Sequence, residues 1–234
     1  MRMIILTLVS LLMMMGPCEA QEALVFSSID SLLAEIGENI LQEAYQRIGI
    51  QVDARVLPAE RALVMANTGE VDGEVLRIKG IEKNYPNLRM VPVPLVVMEG
   101  MVLTKEVTFE VTGWESLKPY TIGIVRGVKF AENGTQGMTV EAVATHEQAL
   151  LKLFHGRTDV VVMPRISGLV EIGKLHLTGI TMLEPPLVTI DIYHYLHKKH
   201  EQLLPQITQV LQDMKAEGRF QEIEEHIIAE AIGQ

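Results

Sequence analysis

Hydrophobic and polar positions along the chain predict strands that alternate with helices. Apolar residues recur at helical spacing over residues 32–44, and a second amphipathic stripe covers residues 203–214. Short apolar runs between turn-forming residues indicate buried strands. The predicted strands cover residues 23–27, 51–56, 71–76, 120–125, 140–144, 159–163 and 187–196. Strands that alternate with helices are typical of an α/β fold.

The segments between these elements have weaker patterns. Further helices are predicted at residues 58–67, 146–154, 166–174 and 220–231. We expect two separate extended segments at residues 90–97 and 101–104. Residues 129–137 are predicted to form a polar loop that contains glycine.

One pattern occurs twice in the chain. Its two copies share an Ala-Leu pair, a glycine, an aspartate and a valine at identical spacing: Ala62-Leu63, Gly69, Asp72, Val75 and Ala149-Leu150, Gly156, Asp159, Val162. In each copy a helix ends at the glycine, which suits the left-handed position just past a helix end. A strand begins near each aspartate, so we expect structural roles for Asp72 and Asp159. Two copies of one unit predict two lobes with a ligand-binding cleft between them.

The first twenty residues have the pattern of a secretory signal peptide. Arg2 gives a positive start, an apolar run follows to residue 15, and small residues precede a cleavage site after Ala20. We therefore expect a periplasmic protein with no membrane insertion after cleavage, because the run is shorter than the roughly 20 residues that span a bilayer. Lipid attachment at Cys18 is the alternative.

Composition narrows the classes of partner. The formal net charge of −10 argues against nucleic acid as a partner, and the hydrophobic fraction of 48% allows a substantial core. The single cysteine lies in the predicted signal peptide, so no disulfide is expected. His194, His197 and His200 invite a metal-binding hypothesis. Within one strand, however, His194 and His197 would point to opposite faces, and we expect neither a metal site nor a cofactor.

Four motifs that follow one another along the chain carry a family resemblance. They are Arg61-Ala62-Leu63 through Gly69-Glu70-Val71-Asp72-Gly73, Tyr120 through Gly127, Ala149-Leu150 through Gly156-Arg157-Thr158-Asp159, and Leu203 through Gly218. With them the chain resembles the family 3 extracellular solute-binding proteins, the periplasmic amino-acid-binding class.

The resemblance implies a type II periplasmic-binding-protein-like fold, with two α/β lobes joined by two crossing strands. The first lobe would comprise residues 21–98 and 187–234, and the second lobe residues 99–186. The hinge would lie near residues 97–101 and 187–190. Ligand would bind between the lobes, which would close on it.

The chain departs from the family pattern where α-amino acids are recognised. The family's carboxylate-binding arginine would fall at Asn84, and its ammonium-binding acid at Pro164. The aromatic loop that usually follows the first strand is replaced by Ser27-Ser28-Ile29-Asp30-Ser31. The α-amino-acid specificity of the family therefore does not carry over directly.

Six residues remain as candidate ligand contacts. They are Arg61, Glu74, Arg77, Arg126, Gly127 and Arg165. Each guanidinium can hold a carboxylate bidentately, and the amides around Gly127 would suit an anion if a helix begins there. Glu74 would partner a cationic ligand group or Arg77, because a charge in a buried strand requires compensation. Surface or interlobe salt bridges are the alternative role for each arginine.

These observations predict a binding protein for a small polar, carboxylate-bearing solute, an amino acid or a related organic acid. It would serve an ABC importer or a membrane sensor, and we expect a monomer. One alternative is an interaction or sensory module with a degenerate cleft. The other is an enzyme on the same fold, although neither a Gly-x-Ser-x-Gly elbow nor a His-Glu-x-x-His motif is present.

Overall fold

The computed structural model describes residues 23–233, so the predicted signal peptide and its cleavage site lie outside the described residues. Within this range the chain forms eight strands and seven α-helices. The strands are β1 (Leu24–Ser28), β2 (Val52–Val56), β3 (Gly73–Ile78), β4 (Leu88–Thr104), β5 (Ile122–Val125), β6 (Val140–Val143), β7 (Val160–Pro164) and β8 (Thr181–His197). The helices are α1 (Leu32–Arg47), α2 (Ala59–Thr68), α3 (Lys129–Gly134), α4 (His146–Phe154), α5 (Arg165–Lys174), α6 (Leu204–Ala216) and α7 (Arg219–Ile232).

The strands form one mixed sheet in the order β2-β1-β3-β8-β4-β7-β5-β6. Three parallel strands lie at each end, with β1 between β2 and β3, and β5 between β6 and β7. The long strands β4 and β8 pair antiparallel with each other and connect the two ends. We call the β1–β3 end the first lobe and the β5–β7 end the second lobe. The predicted two-lobed α/β fold with two crossing strands is confirmed, and the residue boundaries of the lobes stay a prediction.

The duplicated aspartates form the same clip in both lobes. Asp72 donates its N–H to the Val25 carbonyl at 2.7 Å, and its carboxylate accepts the Val25 N–H at 2.7 Å. Asp159 makes the same two bonds with Thr121, at 2.9 and 2.7 Å. Each aspartate therefore ties the start of one parallel strand to its neighbour.

The cores of the two lobes meet at α5. Residues from α1, β1, α6 and α7 form the first-lobe core, and Ile166 and Val170 of α5 pack into that same cluster. Gly173 of α5 leaves no room for a larger residue, because a Cβ there would lie 2.7 Å from Ile232 of α7. The C-terminal helix is thus packed against an element of the second lobe.

The prediction of two separate strands at residues 90–97 and 101–104 is wrong. Both belong to β4, which runs without interruption through 17 residues. Pro92 and Pro94 cannot donate a ladder hydrogen bond, and the pairing with β8 shifts register around Pro94. Such irregularities are where sheets tolerate proline, so β4 continues past it.

Two further segments depart most from the sequence-based expectation, whereas other strand and helix ends shift by one or two residues. Residues Lys129–Gly134 of the predicted loop form the short helix α3, where Phe130 and Ala131 pack into the second-lobe core. Strand β8 begins at Thr181, before residue 187, because it pairs with β4 as far as Thr104. Among residues 23–233, no helix is both long enough and apolar enough to cross a membrane.

Candidate functional site

Four polar residues lie at the end of β1 and along β3 in the first lobe. The parallel register places Ser27 beside Glu74. Ser28 is the next residue of β1, and Arg77 lies near the end of β3. Ser27, Ser28 and Arg77 lie toward the carboxyl ends of their strands, the edge where ligands bind in open α/β sheets, and Glu74 near the start of β3 is held beside Ser27 by the register. We call Ser27, Ser28, Glu74 and Arg77 the first-lobe polar cluster.

Glu74 is the acid of this cluster, and it is buried, with 1% of its surface exposed. Its carboxylate forms an ion pair with Arg77 and accepts a hydrogen bond from Ser27. Burial raises the pKa of the Glu74 carboxyl from 4.5 to about 7, although Arg77 and Ser27 act in the opposite direction. The charge of Glu74 is therefore sensitive to its surroundings near neutral pH.

The surroundings of the Ser27 hydroxyl are consistent with a proton on Glu74. This hydroxyl lies close to three acceptors: the Ala62 carbonyl at 3.2 Å, the Gly73 carbonyl at 3.0 Å and the Glu74 carboxylate. A serine has one proton, so it satisfies only one acceptor at a time. When Glu74 is protonated, its acid proton bonds to Ser27 while Ser27 donates to a backbone carbonyl.

A β-bulge brings Glu74 and Arg77 to the same side of the sheet. Residues three apart in a regular strand point to opposite faces. Here Glu74 pairs with Tyr195 and Arg77 with Tyr193, so two residues of β3 oppose the single residue His194 of β8. The additional residue reverses the alternation, and the two charged side chains meet.

Three buried polar atoms of this cluster have no hydrogen-bond partner among the described residues. They are the Ser28 hydroxyl, the Arg77 Nε and the Glu74 Oε1, the last of which is in ion-pair contact with Arg77. Another nitrogen of the Arg77 guanidinium, Nη2, donates to the Ala59 carbonyl at the start of α2, at 2.9 Å. Buried polar groups are normally satisfied, so the Ser28 hydroxyl and the Arg77 Nε mark positions where a polar molecule would add the missing hydrogen bonds.

The other candidate of the first lobe lies nearby on the surface. Arg61 occupies the first turn of α2, two residues after Ala59, and is exposed. No salt bridge involves it among residues 23–233. Its guanidinium is thus available to solvent beside the strand ends.

In the second lobe, Arg126 and Gly127 follow β5 and are exposed. Gly127 adopts a left-handed backbone conformation with φ of 88°. Its N–H donates to the carboxylate of Glu132 in α3 at 2.8 Å, and Lys129 pairs with the same carboxylate at 2.6 Å. The Gly127 amide, which the sequence analysis proposed as an anion contact, therefore already donates to an acceptor within the chain.

Arg165 begins α5, directly after β7, and is turned toward the crossing strands. Its guanidinium pairs with Glu99 of β4 and, at 2.7 Å, with Glu184 of β8. Arg165 thus has the salt-bridge role that the sequence left open as an alternative, and its two partners fall within the same predicted lobe, residues 99–186. The structure brings Glu74 and Arg77 together, whereas it places Arg165 in a separate ion-pair group.

The histidines of β8 and the following turn have separate partners. His194 bonds to Tyr45 and to a backbone carbonyl in the core, and His200 pairs with Asp72 at 2.7 Å. Within residues 23–233, no three acidic, cysteine or histidine residues are grouped as metal ligands.

Sequence reasoning missed Ser28, Tyr45 and His194 as parts of this region. Two hydroxyl residues directly after the buried run Leu24–Phe26 were a usable signal for Ser28. Tyr45 and His194 carried no local signal, since their contacts are 149 and 120 residues away along the chain.

Comparison with known proteins gives one relative by sequence and many by structure. No family model matches the sequence. An uncharacterized protein from Shewanella oneidensis is 28% identical over 195 residues, which cover 79% of this chain and 72% of that protein.

Solved structures share the fold at low sequence identity. A histidine kinase sensor domain with similarity to periplasmic binding proteins has a TM-score of 0.61 and 16% identity, covering 87% of this chain and 95% of its own. The amino acid ABC transporter substrate-binding protein AbpA from Streptococcus pneumoniae, bound to L-arginine, has a TM-score of 0.63 and 11% identity, covering 90% and 96%. The chain has the type II periplasmic-binding-protein fold. The first of these neighbours is a sensor domain, and the second is a substrate-binding protein.

Proposed function

We propose that the protein captures a small carboxylate-bearing solute, an amino acid or a related organic acid, in the cleft between its two lobes. In this proposal the lobes comprise residues 21–98 with 187–234, and residues 99–186. The protein acts in the periplasm after cleavage behind Ala20, as a monomer, and presents its ligand to an ABC importer or a membrane sensor. The fold, and solved neighbours from both kinds of system, support this role.

The observation that carries the proposal is the unsatisfied polar surface of the first-lobe polar cluster. The Ser28 hydroxyl and the Arg77 Nε are buried without partners, and Arg77 belongs to the buried ion pair with Glu74. An isolated buried polar group costs free energy unless it gains a hydrogen bond. A ligand carboxylate at this site would accept from the Arg77 guanidinium, and a ligand polar group that reached Ser28 would satisfy its hydroxyl.

The remaining candidates would contribute from the rim of the cleft. Arg61 and Arg126 are exposed and would close onto the ligand as the lobes approach each other. Gly127 would contact ligand only if Glu132 released its amide. Arg165 would help to hold the crossing strands through Glu99 and Glu184, and would be released if the ligand displaced one of these partners.

A thermal-shift panel on the secreted protein tests this function. The full chain is expressed with its N-terminal segment, recovered from the periplasm and weighed by mass spectrometry, which reports the cleavage site. Its melting temperature is then recorded with amino acids, organic acids, oligopeptides and polyamines. A true ligand at 100 times its Kd should stabilise by roughly 2.7 kcal/mol, an upshift of about 5–11 °C at about 2–4 °C per kcal/mol.

A matched pair of hydroxyl deletions then locates the ligand. Ser28→Ala removes a buried, unpartnered hydroxyl from the proposed site. Thr158→Val removes another buried, unpartnered hydroxyl, which lies in the second lobe just before β7 and next to Asp159. Neither change should lower the melting temperature by much, because neither hydroxyl has a partner to lose. Ser28→Ala should weaken binding of a panel ligand by about 5-fold, the worth of one hydrogen bond, whereas Thr158→Val should leave it unchanged.

The panel also separates the alternatives. If no compound shifts the melting temperature, solute capture fails and the interaction module with a degenerate cleft is favoured. If a bound compound is converted to product, the enzyme alternative is favoured. Equal effects of Ser28→Ala and Thr158→Val on binding would show that the ligand lies elsewhere.

A further inference from the structure

We propose that Tyr45 and His194 are positioning residues for the Glu74–Arg77 pair, because they stabilise the β-bulge that brings these two charges together. The inference rests on the proposed function, in which this pair belongs to the ligand site. Neither residue reaches the strand ends themselves. Both act from the core of the first lobe through the backbone of β3.

The directions of the two hydrogen bonds follow from the chemistry of their partners. His194 Nδ1 lies 2.7 Å from the backbone carbonyl of Glu74. A carbonyl only accepts, so Nδ1 carries the proton and donates it. His194 Nε2 lies 3.0 Å from the Tyr45 hydroxyl and must accept from it in the neutral ring. Burial lowers the pKa of His194 to about 4, which keeps this arrangement neutral at physiological pH.

The Glu74 carbonyl, which accepts from His194, lies at the beginning of the bulge. A bulge disrupts the local ladder and leaves backbone groups without their regular partners. Val75 and Leu76 together oppose His194, and the imidazole of that same residue supplies a donor to Glu74. The His194 side chain, which lies opposite the bulge, thus donates to the Glu74 carbonyl at the start of the bulge.

Packing fixes the orientation of the imidazole. The side chains of Phe26, Tyr45 and His194 are almost completely buried. The ring centroid of Phe26 lies 4.7 Å from that of His194 and 5.2 Å from that of Tyr45. An apolar residue would fill this space without the cost of burying two polar rings. The hydrogen bond from His194 to β3, and the bond from Tyr45 that orients His194, explain why polar rings are buried here.

The second lobe provides the natural contrast. Strand β7 pairs with β4 in unbroken register from Val160 to Pro164. It carries Val161 where β3 has Glu74, and it brings no acid and base together. The bulge and the imidazole therefore occur together with the charge pair, and are absent from the described strand that lacks it.

The tautomer of His194 gives the first test, on the wild-type protein without ligand. Nitrogen NMR, with the His194 signals assigned by comparison with His194→Asn, should show Nδ1 protonated and Nε2 unprotonated. The ring should remain neutral from pH 8 down to about pH 5, since its pKa lies near 4. A ring protonated at Nε2 could not donate from Nδ1 to Glu74 and would overturn the proposal.

Two matched variants give the second test. In a Tyr45→Phe background, His194→Asn keeps an N–H donor near the position of Nδ1, whereas His194→Leu has similar bulk and no donor. Crystal structures should show the bulge and the Glu74–Arg77 contact retained with asparagine and lost with leucine. A leucine variant that keeps both features would refute the proposal. If both variants fail to fold, the tautomer of the wild-type protein decides.

Ligand affinity adds a readout that loss of packing alone would not produce. A panel compound that binds the wild-type protein should bind the leucine variant at least about tenfold more weakly, a difference of 1.4 kcal/mol. The asparagine variant should bind it nearly as well as wild type. If no panel compound binds at all, the proposed function fails, while the tautomer and the crystal structures still decide the positioning role.

Discussion

The two lobes share a scaffold and differ in chemistry. Each has parallel strands tied by an aspartate clip, Asp72 to Val25 in one and Asp159 to Thr121 in the other. In the first lobe the clip is reinforced, because Asp72 also pairs with Lys199 at 2.8 Å and with His200. Asp159 is exposed. The repeated residues therefore build the lobes, and they do not distinguish one binding surface from the other.

The difference appears two residues beyond each aspartate. There the first lobe places the buried acid Glu74, which its strand holds beside Arg77 through a bulge. The second lobe places Val161 in a strand of regular register. Duplication of a fold thus leaves its chemistry free to diverge, since a single register shift changes which side chains meet.

The largest expected effect comes from the residue that follows each aspartate. A Cβ on Gly73 would lie well inside contact distance of the Tyr195 carbonyl of β8, a backbone atom that cannot move aside. Gly73→Ala should therefore cost about 4 kcal/mol of unfolding free energy, at the upper end for one substitution. The corresponding Val160 is fully buried, so Val160→Ala should cost about 2 kcal/mol through lost packing. Urea denaturation of both variants measures this, and a harmless Gly73→Ala would contradict the close approach of β8.

The two strand-end arginines should differ by several-fold. Arg77→Met leaves Glu74 buried without its cation, which should cost about 3 kcal/mol at pH 8. The loss should be smaller at pH 5, where Glu74 holds a proton. Arg165→Met removes a half-exposed partner of Glu99 and Glu184, and should cost about 1 kcal/mol or less. Chemical denaturation at both pH values is the measurement. Similar losses for the two variants would mean that the first-lobe pair is no more buried than the other.

The buried acid should also leave a signature in the pH dependence of stability. The folded protein holds the Glu74 proton more tightly than the unfolded chain, because the folded pKa is about 7 and the ordinary value is 4.5. The stability of the wild type relative to Glu74→Gln should therefore fall by roughly 3 kcal/mol as the pH rises from 4.5 to 8. His194, whose lowered pKa acts in the opposite direction, is present in both proteins and cancels. A difference that stays constant with pH would show that Glu74 has an ordinary pKa.

The smallest expected losses of unfolding free energy come from removing the two aspartate clips. Asp72→Ala removes the acceptor of the Val25 N–H and two cationic partners, at an expected cost of about 2 kcal/mol. Asp159→Ala removes the bond to Thr121 in a solvent-exposed setting and should cost about 1 kcal/mol. Thermal and urea unfolding report both values. If the two losses are equal, Lys199 and His200 contribute nothing to the first-lobe clip.

Local pattern predicted most of the fold. The apolar stripe of α1, the capping glycine after α2 and the buried run of β7 each follow from residues within a few positions of one another. The prediction was wrong for β4 and for α3. Both depend on distant partners, since β4 is continued past its prolines by pairing with β8 and the short α3 is held by packing in the second-lobe core.

The candidate site was only partly predictable. Glu74 and Arg77 could be found because a charge in or beside a buried strand is unusual enough to need an explanation. Their mutual contact could not, because three residues of separation in a strand predict opposite faces. The β-bulge that places them on the same face lies opposite His194, in a strand more than a hundred residues later in the chain.

The sequence by itself determined the alternation of strands and helices, the two lobes and the aspartates that repeat in them. Periodicity and short spacings are local properties, and they suffice for a scaffold built from local units. The tertiary structure decided which charges meet, that Arg165 joins the crossing strands and that Ser28 and Arg77 keep unsatisfied polar atoms. These outcomes depend on register between distant strands, where a shift of one residue moves every following side chain to the other face.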